Sequence, residues 1–169
     1  MNKKELIQFA LSVSNGAVMN PLEKTSDAAI MFPTPKGGCH PPWVLGHLTL
    51  VEGMIPAALY GEENAVAAWA PLFGENSEAV ANAHAYPSFA ELRARYSALR
   101  NRNLEILESL SEEDLDRSTK APPKGREQEF STFGSSFLVL ALHQCMHRSH
   151  VTDALRASGR MQVAAAIAN

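Results

Sequence analysis

A chain of 169 residues, 46% hydrophobic and 20% charged, has the composition of one ordinary globular domain able to bury a core without disulfide staples. Its formal net charge of −3, with no basic run longer than two residues, excludes the broadly basic surface that non-specific nucleic-acid or anionic-membrane binding requires. Cys39 and Cys145 are too few and too far apart for a disulfide framework or a Cys-x-x-Cys site, so a reduced, cytoplasmic setting is expected.

Leu6, Phe9, Ala10, Val13 and Ala17 recur at helical spacing and predict a first helix over about residues 3–19. Gln8, Ser12, Ser14 and Asn15 interrupt that stretch, so it reads neither as a signal-peptide core nor as a membrane span. Pro21, Pro33, Pro35, Gly37, Gly38, Pro41 and Pro42 predict a long loop over 20–42. The last two prolines suit the first turn of a second helix, where their missing N–H groups would be unpaired anyway. That helix is predicted to reach about Tyr60, with Gly61 as its stop.

Between residues 62 and 86 the pattern is ambiguous: Val66, Trp69, Leu72 and Phe73 fit one short helix, and Gly74 to Tyr86 reads as loop. Ser88 followed by Glu91 is a capping-box signature opening a third helix. Its apolar stripe is Leu92, Tyr96, Leu99, Ile106 and Leu110, with Asn103 as a polar interruption. Ser111 to Leu115 predicts a single capped turn, 120–129 a loop, and Thr132 to Ser158 a fourth long helix ending at Gly159. Nothing alternates with period two. The fold class is therefore all-α, a four-helix bundle forming a single domain over 1–169.

Three histidines fall on apolar helical stretches. At about 100° per residue, His147 lies about 40° round the last helix from His143, and His150 about 20° to the other side. The same arithmetic adds Thr132, Ser136, Val139, Leu140, Met146, Ala154 and Ala157 to that face, which is expected to point inward, with Leu138, Ala141 and Cys145 away from it. On the second helix, Trp43, Val44, Leu50, Val51, Met54 and Ala58 lie near His47, while Thr49, Glu52, Gly53 and Pro56 take the opposite side. Imidazoles pointing into a core need hydrogen-bond partners or a metal ion, and His47, His143 and His147 are the candidate metal ligands. His40 and His84 are expected at the surface of loops, Trp43 in core packing, and Asp153 either orienting His147 or His150 or facing solvent.

Gly46-His47-Leu48 together with His143-x3-His147-Arg148 resembles the DinB/YfiT-like superfamily of candidate metalloenzymes. Trp69-Ala-Pro-Leu-Phe-Gly74 and Tyr86-Pro-Ser88 are similar to the connection in one branch of it. The resemblance implies an up-down-down-up helical bundle and the same three metal ligands. It also implies chemistry of the thiol-dependent transferase or isomerase kind, with a low-molecular-weight thiol as cosubstrate. Ser149-His150 departs from the Gly-Gln that usually follows. His150 is accordingly a fourth ligand, a partner that orients the ligands, or the site's acid or base; the second reading is favoured, since a fourth protein ligand would close the position that catalysis needs.

All-histidine ligation suits a divalent transition metal, zinc or nickel ahead of iron or cobalt. The expected protein is a cytoplasmic metal-dependent enzyme that transfers a thiol or hydrolyses a small substrate. The rival is a non-catalytic or stress-associated helical protein with a structural metal. Metal affinity is expected to fall as pH drops through the histidine range near 6. A fourth helix that is apolar nearly all round predicts a homodimer, the alternative being a monomer whose 20–42 loop covers that face, with no nucleic-acid or membrane partner.

Overall fold

At the N-terminus the Asn2 side chain accepts from the Glu5 N–H while Glu5 accepts from the Asn2 N–H, and α1 (Lys3–Glu23) grows from that reciprocal cap. This is seen in a computed structural model of the protein, which describes residues 1–25 and 39–160. The helix continues through Pro21, past its expected end. Val18 and Leu22 are wholly buried there, and their burial outweighs the one backbone bond a proline forfeits. Most of the expected 20–42 loop lies outside the described residues.

The single second helix expected to Tyr60 is two, α2 (Pro41–Glu52) and α3 (Met54–Tyr60), joined at Gly53. Pro56 has no N–H for the Glu52 carbonyl, which accepts from Asn103 Nδ2 instead at 2.9 Å. A Cβ on Gly53 would stand 2.1 Å from Asn64 Oδ1, so only glycine lets the Asn64 amide reach the Leu50 carbonyl. Gly61 closes α3 at φ +72°, as its position predicts. The ambiguous region resolves into a 3-10 turn (Ala67–Trp69), a single helical turn α4 (Ala70–Phe73) and a second 3-10 turn (Ala83–Ala85). Ser88 caps α5 (Phe89–Ser109), a short turn spans Asp114–Asp116, and Thr132 with Ser135 caps α6 (Phe133–Ala157) reciprocally. The described residues hold no strand beyond one isolated Ser118–Thr132 bridge.

Side-chain contacts fix the directions of the long helices. Ser14 bonds Gln144, and Arg160 just past α6 bonds the Lys24 carbonyl, so α1 and α6 run the same way. Tyr60 meets Phe133 at one end of α6 and Trp43 lies near His147 at the other, so α2 and α3 run against it. Asn15–Tyr96, Leu11–Arg100 and Glu23–Arg93 contacts set α5 against α1.

The core has two apolar parts. Ile7, Leu11, Ile55, Leu107, Phe133 and Phe137 belong to one; Val18, Leu22, Val44, Leu48, Phe73, Leu92, Val151 and Leu155 belong to the other. Every long helix carries a buried polar residue where the two parts meet or close to it: Ser14, Glu52, Arg100 with Asn103, and Gln144. These form one network. Glu52 accepts from Arg100 at 3.2 Å, Gln144 at 3.1 Å and Asn103 at 2.7 Å. Gln144 also donates to the Tyr96 hydroxyl and accepts from Ser14. Thr49 and Glu52, expected opposite the core-facing side of their helix, are both wholly buried. α2 is packed on all sides. The run Pro41–Tyr60 is long and apolar enough to cross a membrane by length and composition, but 78% of its window is buried within the fold, as in a core helix.

Candidate metal centre

The site is assembled around the start of α2. The His40 side chain caps that helix, its Nδ1 accepting from the Trp43 N–H, and its Nε2 bonds the Val80 carbonyl. His40 is therefore fully buried rather than at a loop surface, and it fixes the helix entry. His84 is exposed, as expected. Trp43 gives its indole N–H to Ser77 and lays its ring on His47, centroids 4.8 Å apart and planes 9° from parallel.

Gly46 has a specific part. A Cβ there would fall 2.2 Å from the Phe73 ring, so glycine alone lets α4 lie directly against α2. That close approach brings the Phe73 carbonyl 2.7 Å from His47 Nδ1. A carbonyl only accepts, so the proton of neutral His47 sits on Nδ1, leaving the Nε2 lone pair free for the interior of the site. No residue type in the sequence marks this carbonyl. A backbone acceptor has no residue signature, and the only clue was the Trp69–Gly74 segment itself.

His143 and His147 enter from α6. His143 Nε2 lies 3.2 Å from His47 Nε2 and 3.1 Å from His147 Nε2, and the three ligand atoms are all within 4.8 Å of one another. Nitrogens held about 2.0–2.1 Å from a tetrahedral zinc would be about 3.3–3.4 Å apart. The donor set fits a divalent metal. No other histidine, cysteine or carboxylate among the described residues joins this group. Nδ1 of His143 and of His147 is buried without a protein partner.

Burial pushes all three imidazoles below the usual histidine value. His143 falls to about 4, lowered further by His47 and Arg126, and His147 to about 3, lowered further by His143, His47 and His150. For His47, burial prevails over the opposing effects of the Phe73 carbonyl and Glu75. Unprotonated rings are the form that ligation needs.

The inward face of α6 is rotated from the one expected. Leu140, Gln144 and Val151 are buried, whereas Met146 is 70% exposed and Ala157 also faces out. The histidines thus stand at the edge of the buried face, which gives them both a core to lean on and a way to solvent. Ala141, expected to face away, is buried, while Leu138 and Cys145 do lie away from that face and are exposed. Asp153 pairs with Arg156 and orients neither histidine. His150 instead receives the Cys39 backbone N–H on its Nδ1 at 2.9 Å, with its ring 5.5 Å from that of His147. A polar groove of about 480 Å³ between α1 and α5, floored by Tyr96 and Arg100, contains none of these histidines.

An all-α fold whose helices bring three histidine nitrogens together can hold a metal ion between facing helices. The model of the DinB superfamily matches residues 15–151, most of the chain and all of the site, and the protein belongs to that superfamily. No curated protein matches it.

Proposed function

We propose that this protein is a small metal-dependent enzyme in which His47, His143 and His147 hold a divalent transition metal through Nε2. The observation that carries the reading is the convergence of those three nitrogens, with the Phe73 carbonyl fixing His47 in the tautomer that can ligate. Zinc or nickel suits the set best, and iron or cobalt is compatible with it. Three protein ligands, with no fourth side chain in the group among the described residues, favour an ion with an open position over a closed structural site. Such an ion supplies a Lewis acid that polarises a carbonyl or activates a thiol or water. The chain's own residues do the rest. Trp43 and the Phe73 carbonyl orient His47, Gly46 admits Phe73, and the apolar core behind α2 keeps water from the back of the site.

The reaction class we propose is transfer of a low-molecular-weight thiol, or hydrolysis of a small substrate, in a reducing cytoplasm where Cys39 and Cys145 stay free. Screening thiol transfer and ester hydrolysis in metal-loaded protein, with His143→Ala as control, tests it. Turnover that depends on His143 supports the reading. A metal with a complete protein shell and no exchangeable position would favour the structural alternative.

We also propose a homodimer. Leu6, Phe9 and Val13 on α1 are 50%, 60% and 53% exposed, and Leu142 and Met146 on the adjoining α6 are 66% and 70% exposed. Leu6 and Leu138 line one cleft, so the two stripes adjoin on one face.

A further inference from the structure

His150 is held by one edge of its ring. Nδ1 accepts the Cys39 backbone N–H at 2.9 Å, and a nitrogen that accepts a hydrogen bond carries no proton. The proton of the neutral ring is therefore on Nε2, and no residue among those described takes that N–H. The ring stands 5.5 Å from that of His147, one turn along α6 and on the same side of the helix as both α6 ligands. Other polar groups around the site are already engaged: the Trp43 indole N–H by Ser77, His40 by Trp43 and Val80, and His47 Nδ1 by Phe73. Nδ1 of His143 and of His147 also lacks a partner, but each lies on the edge of its ring turned away from the ligating Nε2, which leaves the His150 N–H as a fixed donor beside three lone pairs.

We infer that His150 Nε2–H is the hydrogen-bond donor for an anionic group, a thiolate or an oxyanion, bound at the open side of the three-histidine centre. His150 is then neither a fourth ligand nor a base. A ligand would have to present a lone pair, and the Cys39 N–H already occupies the one this tautomer offers. The role gives the site selectivity for compact anions over neutral ligands of equal size, because a charged acceptor gains more from a fixed donor. Glutamine can reproduce the arrangement, accepting from Cys39 through its carbonyl and donating through its amide; alanine cannot.

The inference rests on the metal reading, and two measurements separate them. In the metal-free protein, nitrogen-15 correlation spectra of the histidine rings should show His150 as the Nε2–H tautomer; an Nδ1–H tautomer overturns the inference. In cobalt-substituted protein, azide binding is followed by the visible bands of the ion. His150→Ala should leave cobalt affinity within about threefold and weaken azide by about tenfold or more, as expected for loss of a hydrogen bond to a charged group. His150→Gln should restore most of the azide affinity. Azide affinity that is indifferent to residue 150 overturns this inference alone, as does loss of cobalt in His150→Ala, which would make His150 a ligand. Failure of the wild-type protein to take up cobalt at all removes the metal reading and this inference with it.

Discussion

Gly46 and Phe73 decide whether His47 can act. Replacing Gly46 with alanine puts a methyl group 2.2 Å from the Phe73 ring, so α4 must move away and its carbonyl with it. Overpacking of this kind costs about 1–3 kcal/mol. The variant should melt lower and bind metal about 10–100-fold more weakly, the usual penalty for losing a ligand's orienting partner. Unchanged metal affinity in a destabilised but folded Gly46→Ala protein would show that the Phe73 carbonyl does not matter. His47→Ala, His143→Ala or His147→Ala should each cost more than this, about 100-fold or greater, by removing a ligand outright.

Proton linkage at the same residues has a definite sign. In the folded metal-free protein His143 protonates at about 4 and His147 at about 3, whereas the unfolded chain takes up protons near 6.5. Between those values the unfolded state binds more protons, so the stability of the metal-free protein falls as pH drops through that window and is unaffected above it. The depressed values also move acid release of metal below the expected range near 6, toward pH 4. A metal-occupancy titration checks this, and a release midpoint at 6.5 would show that burial does not hold the rings unprotonated. The histidine set itself was legible in the sequence from spacing on apolar helices. The depth of its pKa depression was not, because the packing of Trp43, Phe73 and the 39–40 segment around it has no local signature.

At the level of elements, the Glu52 network joins all four long helices. It ties α2 to α6 through Gln144, the residue beside His143, and so sets how the two helices that carry the three histidines meet. Burial raises the Glu52 carboxyl pKa, and Arg100, Asn103 and Gln144 oppose that rise. Glu52→Ala leaves Arg100 buried without its partner and should cost about 3–5 kcal/mol, read from urea unfolding. Glu52→Gln, which keeps acceptor and shape, should cost less. Equal unfolding midpoints for wild type and Glu52→Ala would mean that the network contributes nothing.

The helices themselves were largely legible. Caps at Ser88 and Thr132 and stops at Gly61 and Gly159 fall where the residues predict. Two features were not. The break at Gly53 depends on Asn64 and Asn103 arriving from elsewhere in the chain, and the burial of Glu52 depends on Arg100 reaching it from α5. In both cases a tertiary partner overrides what the local pattern suggests. The azimuth of α6 is the third case. The apolar residues go nearly all round it, so the sequence could not rank Ala141 above Met146, and packing against α1 and α2 did.

For the whole molecule, the exposed Leu6, Phe9, Val13, Leu142 and Met146 make the association state a direct test. Sedimentation at micromolar concentration should give a species of twice the 18.3 kDa chain, and Phe9→Glu with Leu142→Glu should give one of 18.3 kDa with its helicity kept. A wild-type protein that sediments at the single-chain mass would refute the dimer. The proposed metal centre does not depend on that outcome, since all three histidines come from one chain.

X-ray absorption at the edge of the bound ion tests most directly the proposal that these three histidines hold a catalytic metal. Protein purified without an affinity tag and reconstituted with zinc should carry one ion per chain, with three imidazole nitrogens at about 2.0–2.1 Å and one exchangeable light-atom ligand. No stoichiometric uptake, or a spectrum that survives replacement of His47, His143 and His147 together by alanine, would contradict it.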